Sequence, residues 1–397
     1  MKTVKWFLMK QDKRMRLIFF AIVLVFASQS ILRAQDNPVE ATLNGYLNNM
    51  QSFIFEDIQD PWIKENLVHN RLNFKLYAGS HISFAAELRN RFYITDMLSL
   101  DPGFASRMEE DQGFFDLTAN VFEEQSFLLN TTIDRLWVDI SLGIVQFKAG
   151  RQRINWGQTF VWNPNDVFNA YSYFDVDYPE KPGSDALRLQ IYPDYSSTIE
   201  IAVAADSDDD ITIAGLYRFN KWGYDIQFLS GLVDSRDIVF GAGWSGAIGS
   251  TSFRGEISWF QPEDNFSDTT GTGLFTIGFD RGFSGSGMLQ FQAMYCNNPL
   301  EFSAFNEFYS ENLSAKDLAF SEFSLFGSVT YPVTPLFKLG LSSIWYPDLK
   351  GFYAGPNADI SFSENLDFSF IWQYFNAELN EVRTKVSLLF IRFKYSF

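Results

Sequence analysis

The 397-residue chain has a single cysteine, Cys296, and only two histidines, His69 and His81. One cysteine cannot form an internal disulfide, and so few sulfur and imidazole ligands argue against a zinc site. Basic residues are also scarce: the chain has 31 Lys and Arg against 48 Asp and Glu, which gives a net charge of −17. Contacts with phosphate need a basic face, so this balance argues against a nucleic-acid partner.

Sequence motifs that carry catalysis are missing as well. There is no G-x-S-x-G nucleophile motif and no phosphate-binding loop. A Ser-His-Asp site would have to use His69 or His81, which lie near opposite ends of one predicted strand, about 35 Å apart at roughly 3.3 Å per residue. Acidic clusters such as Glu109-Glu110-Asp111 are better suited to binding the divalent cations that bridge lipopolysaccharide molecules, or to staying solvated, than to acid–base catalysis. We therefore predict no enzymatic activity, no metal centre and no cofactor.

The first 35 residues have the pattern of an export signal. Basic residues up to Arg16 precede an apolar run from Leu17 to Ala27, and a short polar stretch ends at Ala34. This apolar run is too short to span ~30 Å of hydrocarbon as a helix. We predict a signal peptide at residues 1–34, cleavage after Ala34 and a mature domain at residues 35–397.

The remainder combines many aromatic residues with a strict alternation of apolar and polar positions. It contains no apolar run long enough for a membrane helix, while the whole chain has 43 Phe, 17 Tyr and 10 Trp. Alternation is clear in segments 82–92, 187–192 and 366–372. Charged residues such as Arg89 lie in mid-strand, opposite a continuous apolar face. That pattern is typical of a lipid-facing β-barrel rather than of a soluble sandwich.

Turn-forming residues between these segments predict about eighteen strands. We place them at 43–56, 68–78, 82–95, 129–141, 143–151, 184–192, 196–205, 210–218, 223–232, 237–246, 251–260, 272–281, 286–296, 318–331, 334–345, 350–362, 365–375 and 382–396. Alternate connections are short, as periplasmic turns are, and the others include long stretches, as outer loops do. The predicted fold class is all-β, a transmembrane antiparallel β-barrel. Sixteen strands is the alternative count, because Gly-rich segments within 210–246 could merge.

Two segments resemble known proteins. The final residues Leu389-Phe390-Ile391-Arg392-Phe393-Lys394-Tyr395-Ser396-Phe397 resemble the closing strand of Gram-negative outer-membrane barrels. That resemblance implies insertion by the barrel-assembly machinery, with Phe397 as the assembly signal. Gly150-Arg151-Gln152-Arg153-Ile154-Asn155-Trp156-Gly157, followed by Asn163-Pro164-Asn165-Asp166, resembles porin-like families related to alginate-export channels. It implies a channel in the cell outer membrane, surrounded by lipid and lipopolysaccharide, without implying a substrate.

The stretch from Gln152 to Gly183 is the third predicted outer connection. It is long enough to need a function and too aromatic for a disordered segment. One interpretation folds it into the lumen as a constriction, which is the one we predict. The other packs it over the outer rim, with Arg151 and Arg153 paired to nearby aspartates.

Alternation also assigns charged side chains to the lumen. Basic residues predominate on strands two to six and acidic residues on strands seven to seventeen, so the two walls of the lumen should differ in charge. The predicted pore-lining and constriction residues are Arg89, Arg91, Arg135, Arg151, Arg153, Asn155, Trp156, Asn163, Asn165, Asp166 and Arg188.

The predicted function is a passive, porin-like channel for small or oligomeric polar solutes. The basic strands two to six lie beside the long loop. We therefore predict, more specifically, that the solute is anionic or hydroxylated. The alternative is a plugged barrel that serves as a surface receptor or as a component of an export or assembly complex.

Overall fold

The computed structural model describes residues 39–264, 266, 269–300, 313–379 and 381–397. The predicted signal peptide and its cleavage site lie outside the described residues. The strands are β1 (Val39–Phe55), β2 (Ile63–Ala78), β3 (Ile82–Thr95), β4 (Thr118–Glu123), β5 (Phe127–Leu142), β6 (Val145–Gln152), β7 (Ser184–Asp194), β8 (Ser197–Ala205), β9 (Ile211–Lys221), β10 (Tyr224–Val233), β11 (Asp237–Ile248), β12 (Thr251–Pro262), β13 (Thr272–Phe283), β14 (Gly287–Cys296), β15 (Phe323–Thr334), β16 (Phe337–Tyr346), β17 (Gly351–Ser363), β18 (Leu366–Leu379) and β19 (Val382–Ser396). Two short helices, α1 (Met97–Leu100) and α2 (Phe104–Glu109), lie between β3 and β4. No helix within these ranges is long and apolar enough to cross a bilayer.

Eighteen of the strands form a closed antiparallel barrel. Consecutive barrel strands pair with each other, and β1 pairs with β19 from Tyr46 opposite Ser396 to Phe55 opposite Ser387, which closes the ring. Closure gives each of these eighteen strands a partner on both sides. The predicted all-β barrel of about eighteen strands is therefore confirmed.

The alternative count of sixteen strands is wrong. β9 and β10 are joined by a two-residue turn in which Trp222 and Gly223 have φ values of 56° and 79°. Positive φ at both turn residues matches the right-handed twist of the flanking strands and makes a tight hairpin. Asp234 and Ser235 make a similar turn between β10 and β11, with φ values of 50° and 52°, so this region contains three separate strands.

The two ends of the barrel differ in the length of their connections. We call one the turn end, because it carries short connections such as 79–81, 143–144 and 249–250. The other is the loop end, which carries the long connections 96–126 and 153–183. This asymmetry is the one that the sequence predicts.

The wall alternates between an apolar outer face and a lumen face. On β7 and β10, Leu187 and Phe228 point outward and are 55% and 53% exposed. Their neighbours Ala186 and Gln227 point inward and are buried. Period-2 alternation places successive side chains on opposite faces of a strand, so each strand contributes to both surfaces.

β4 is an element that the sequence analysis did not predict. The chain leaves the wall at Gln152 and returns at Ser184, so β6 and β7 stop short of the loop end. There β5 pairs with β4 instead, with Thr118 opposite Thr132. Gly113 extends this replacement by bridging to Asp206 just after β8. The connection between β3 and β5 thus fills the part of the wall that the departing loop leaves open.

β5 also contains a β-bulge. Arg135 lies opposite Glu87 and Ile133 lies opposite Leu88, so Asp134 is the extra residue. A bulge of this kind puts two consecutive side chains on the same face. Both Asp134 and Arg135 accordingly make contacts inside the barrel, with Tyr178 and with the carbonyl oxygen of Lys181 respectively.

The barrel seam generates a prediction about assembly. The Gly45 and Phe397 backbones exchange two hydrogen bonds of 3.0 Å, and a Cβ at Gly45 would lie 3.1 Å from the Phe397 ring. Deleting Phe397 removes both hydrogen bonds, roughly 1–3 kcal/mol, as well as the ring contact. We expect less folded protein, measured as the heat-modifiable fraction on gels, while Phe397→Trp should assemble. Normal assembly of the deletion variant would contradict a role for this residue in closure.

Candidate constriction in the barrel lumen

Residues 153–183, which we call the lumen loop, lie inside the barrel. The loop hydrogen-bonds to lumen-facing side chains of strands on all sides of the wall. These partners include Glu200 on β8, Gln227 on β10, Glu256 on β12, Gln292 on β14, Gln373 on β18, Arg392 on β19, His69 on β2 and Asp134 on β5. Since contacts follow the circumference, the loop crosses the lumen rather than covering the rim. The predicted lumen position of the loop is confirmed.

Trp156 attaches the beginning of the loop to the wall. Its indole Nε1 donates to Glu200 Oε1 at 2.6 Å, and its carbonyl oxygen accepts from Gln227 Nε2 at 2.7 Å. The ring meets Phe168 edge to face, with centroids 5.0 Å apart. Only 1% of Trp156 is exposed, so it supports the lumen loop from within and does not line an open surface.

Glu256 provides the strongest attachment in the loop's first half. Its carboxylate accepts from the backbone N–H of Asn165 at 2.8 Å, of Thr159 at 2.8 Å and of Gln158. The Thr159 hydroxyl adds a further bond of 3.0 Å. Irregular backbone inside a barrel needs partners for its polar groups, and this fully buried carboxylate supplies them. The sequence predicts acidic residues on the lumen face of this strand but gives no signal of this role.

Three polar loop residues that the sequence singled out contact one another or the wall. Asn165 donates to Ala242 O at 3.0 Å and accepts from the Ser258 hydroxyl at 2.7 Å. Asp166 accepts from Arg153 at 3.0 Å, while Asn163 lies within the loop and accepts from Thr159 at 3.3 Å. Burial raises the pKa of Asp166 to about 7, although the charge of Arg153 opposes that shift.

Asn155 has a different position from its neighbours. It is exposed, and its side-chain oxygen accepts from the backbone N–H of Gly157 at 3.2 Å. It therefore shapes a local turn of the loop. In addition, a Cβ at Gly157 would lie 2.6 Å from Asn163 Oδ1, which explains the need for glycine at this close approach.

The second half of the loop packs against an aromatic wall. Phe174 meets Tyr353 and Phe375 with ring centroids 5.1 and 5.0 Å apart, and Phe160 lies 5.8 Å from Phe326. Phe326, Tyr353 and Phe375 face the lumen and are almost fully buried. The sequence analysis missed this surface because it counted charges on the inward face and not apolar residues. Part of the lumen at the loop end is consequently a hydrophobic core.

The end of the loop meets the basic wall of β2, β3 and β5. Asp177 lies 3.2 Å from His69 Nδ1, and the Tyr178 hydroxyl donates to Asp134 at 2.8 Å. The Arg89 guanidinium lies 3.9 Å from the centre of the Tyr178 ring. Burial alone would raise the pKa of Asp177, but His69 and the nearby arginines lower it. Burial raises the pKa of Tyr178 to about 12.

Arginines of this wall are buried beneath the loop. Arg71 is fully buried and pairs with Asp134 and with Glu87, the latter at 2.6 Å. Arg89 and Arg91 are 7% and 4% exposed, and Arg91 donates to Asn130 at 2.9 Å. These side chains face the lumen, as alternation predicts, and the loop covers them.

Arg135, Arg153 and Arg188 also have partners. Arg135 donates to the carbonyl oxygens of Glu180 and Lys181 at 3.1 and 2.6 Å, which fixes the end of the loop. Arg188 makes two bonds of 2.8 and 2.7 Å to the carboxylate of Glu200. Each of these arginines therefore supports the loop or neutralises an acidic neighbour.

Arg151 does not reach the lumen, contrary to the sequence-based expectation. Lys148 on the same strand faces the lumen, and alternation puts Arg151 on the opposite face. There it pairs with Asp185 at 2.8 Å and with Asp111 at 2.9 Å, beneath the connection between β3 and β5. Its role is to join this connection to the wall, and the sequence offered no signal of that partner.

Two lumen-facing basic residues were missed: Arg218 on β9, within the wall that was expected to be acidic, and Arg392 on β19, the last predicted strand, which was assigned to neither wall. Arg218 donates to Gln227 at 2.7 Å, and Arg392 donates to Val176 O in the lumen loop at 3.2 Å. The alternation of Thr212, Ala214 and Leu216 would have placed Arg218 inward. The difference in charge between the two walls is therefore smaller than predicted.

Towards the turn end the lumen is lined by paired charges. Lys148 lies 3.1 Å from Asp139, Arg254 pairs with Asp280, and Asp359 accepts from Ser369 at 2.7 Å. At the loop end, a cavity of about 230 Å³ lies between the lumen loop and residues such as Asp206. No group of three or more His, Cys, Asp and Glu suited to a metal ion occurs in the described part of the chain.

Comparison with known proteins identifies the fold. No family model and no curated protein matches the sequence. Solved structures do match, among them OccAB4 of Acinetobacter baumannii, with a TM-score of 0.57, 9% identity and coverage of 90% of this chain and 98% of that one. OprD of Pseudomonas aeruginosa matches with a TM-score of 0.57 and 8% identity, over 90% of this chain and 95% of that one. OpdQ of the same organism matches with a TM-score of 0.56 and 10% identity, over 90% of this chain and 99% of that one. The barrel fold is thus shared over nearly the whole length of each chain.

The attachment at Glu256 can be tested directly. Glu256→Ala removes the acceptor for three backbone N–H groups, and we expect the docked loop to lose about 2–4 kcal/mol of stability. Limited proteolysis of the folded barrel should then cut within residues 157–166. Asp359→Ala, which changes a lumen carboxylate without a loop contact, is the matched control. Equal protection of the loop in both variants would show that Glu256 does not hold it.

Proposed function

We propose that this protein is a porin-like channel of the cell outer membrane, in which the lumen loop limits the passage of small polar solutes. The position of the loop across the lumen is the observation that carries this proposal. The shared fold with OprD and OccAB4, which belong to a group of outer-membrane porins, supports it.

The outer surface is suited to a membrane. Apolar side chains cover it, and exposed aromatic residues lie near both ends of the barrel. Trp259, Tyr295 and Trp345 lie towards the loop end, and Tyr217, Tyr331 and Tyr395 towards the turn end. Two such belts are expected where a barrel meets the two membrane–water interfaces.

The interior is suited to polar solutes. Lys148, Asp139, Arg254 and Asp280 make the part of the lumen near the turn end charged and hydrogen-bonding. We propose that small polar molecules, anionic ones among them, pass between this wall and the lumen loop. The closer relationship to alginate-export channels rests on the loop motif around Trp156 and stays a prediction, because the compared structures belong to another group.

Export and assembly complete the proposal. Residues 1–34 would direct the chain across the inner membrane, and the barrel-assembly machinery would then insert the barrel among lipid and lipopolysaccharide. The position of Phe397 at the seam supports recognition of the final strand as the last step of closure.

A plugged barrel that acts as a receptor or assembly component is the second candidate. The buried aromatic residues Phe174, Tyr353 and Phe375 favour it, because they fill the lumen where a channel would need water. Leu318 and Phe320, from the connection before β15, add to the same core.

Single-channel recording in planar bilayers separates the two functions. Replacing residues 158–178 with a short Gly-Ser linker removes most of the loop, so we expect conductance to rise several-fold for a channel. Shortening the exposed connection at residues 56–60 is the matched control and should leave conductance unchanged. A wild-type protein that never conducts, with a deletion variant that does, would favour the plugged barrel. Equal conductance of wild type and deletion would overturn the constriction.

Charge preference is a further test. Groups in a narrow lumen are screened less than exposed loop charges, since the Debye length is ~8 Å at physiological salt. We expect weak anion preference, and Arg89→Gln with Arg91→Gln should shift the zero-current potential in a salt gradient towards cations. Glu123→Gln with Glu124→Gln, in an exposed connection, should barely change it. A larger effect of the glutamate pair would contradict a selective role for the arginines.

A further inference from the structure

A row of two amide side chains and one hydroxyl lies on the outer face of the barrel, on β2, β3 and β5. Asn70 is opposite Asn90, and Asn90 is opposite Thr131 on β5. Asn90 Nδ2 donates to Asn70 at 3.2 Å, and the Thr131 hydroxyl donates to Asn90 at 2.9 Å. Their neighbours Arg89, Arg91 and Asn130 face the lumen, so alternation places this row outward.

A second group of amides lies beside the row, nearer the loop end. Asn49 and Asn66 exchange hydrogen bonds of 3.1 and 3.3 Å, and Asn66 also donates to Gln51 at 3.3 Å. We call Asn49, Gln51, Asn66, Asn70, Asn90 and Thr131 the amide patch. None of its six side chains carries a charge.

Asn70, Asn90 and Thr131 lie within the apolar band, whereas Asn66 is opposite Ile94 and Gln51 is opposite Asn66, so these two lie at its loop-end edge. On β3 the outward residues from Ile82 to Ile94 are apolar except Asn90. These twelve steps span about 40 Å along the strand at roughly 3.3 Å each, or about 30 Å in height at a tilt near 40°. Asn90 is four steps from Ile94, so it lies about 10 Å inside the band at the same spacing.

The patch is confined to one side of the barrel. On β10, β11 and β14–β17, all fully described, the outward positions between the rims hold apolar residues, glycine or single serines such as Ser230 and Ser343. Alternation reveals no asparagine or glutamine among them. Amides are therefore concentrated on three neighbouring strands, as expected for a local surface with its own partner.

Lipid chains cannot serve as that partner, because they neither donate nor accept hydrogen bonds. Each asparagine amide has two N–H donors, and the contacts above use one in Asn90, while Asn70 donates once, to Tyr46 O at 3.2 Å. One N–H donor of each of these two amides is left without a partner among these contacts. A partner within the membrane would have to offer both donors and acceptors.

We propose that the amide patch binds a second copy of this chain. An amide is both donor and acceptor, so a row of amides is complementary to an identical row turned about a two-fold axis. The absence of charge in the patch also lets two chains that are both net negative approach there without local repulsion. The surrounding apolar residues, such as Leu47 and Phe92, would pack around the paired amides.

Cysteine cross-linking in outer membranes tests this interface. The native Cys296 is buried and is replaced by alanine in every variant. With Asn90→Cys, a short bis-maleimide should cross-link most of the protein into a species that migrates at twice the monomer mass. Ala242→Cys, at an outward position of β11, is the matched control and should give at least ten-fold less. Equal bands, no band from Asn90→Cys, or a cross-link only to another polypeptide would overturn the proposal.

A second variant separates association from folding. Asn70→Leu, Asn90→Leu and Thr131→Val together remove the row while keeping an apolar outer face, so the barrel should stay heat-modifiable and migrate as a monomer on native gels. Ser230→Leu with Ser343→Leu is the control and should still form the dimer. A triple variant that remains dimeric would overturn the proposal. Conductance is measured separately, so a monomeric channel would refute this inference without affecting the proposed function.

Discussion

The width of the barrel is the constraint on which the rest of the structure depends. Eighteen strands enclose more space than their inward side chains can fill, and the chain fills part of it with residues 153–183. A loop in that position needs partners for its backbone. Glu256, Gln292 and Gln373 supply them from lumen-facing positions on three strands. The wall is therefore complementary to the loop, and neither surface is explained without the other.

Two kinds of contact hold the loop, and they respond differently to conditions. On one side Phe174 packs between Tyr353 and Phe375, where attachment depends on apolar area and is insensitive to salt or pH. On the other side Asp177 and Tyr178 meet His69, Arg89 and Asp134, where buried charges depend on each other. Losing one member of such a group leaves the others unpaired in a poorly solvated site. The end of the loop near β2 and β3 is accordingly the part whose position depends on ionisation.

The strands could be predicted from the sequence because alternation, turn residues and one apolar face agree for each of them, and a one-residue slip would expose polar groups to lipid. Other features depend on contacts distant in the chain. The bulge at Asp134 adds one residue and reverses the alternation beyond it, so position alone cannot assign Asp134 and Arg135 to the same face. Alternation from Lys148 places Arg151 on the outer face, but its partner Asp111 lies 40 residues away and has no signal in the local sequence. The aromatic wall at Phe326 was missed because apolar residues on an inward face have meaning only once the loop lies against them.

A lumen-facing position is therefore not the same as a position that a solute touches. Near the loop end, Arg89 and Arg91 face inward and are covered by the lumen loop. Near the turn end, inward charges remain accessible, but oppositely charged partners such as Lys148 and Asp139 lie side by side and largely cancel at a distance. In the proposed channel, the charge that a solute meets would depend on whether the loop covers these arginines. Because the same loop also occupies the lumen, one element would set both the size limit and the charge preference of that channel, and a change in its position would alter the two together.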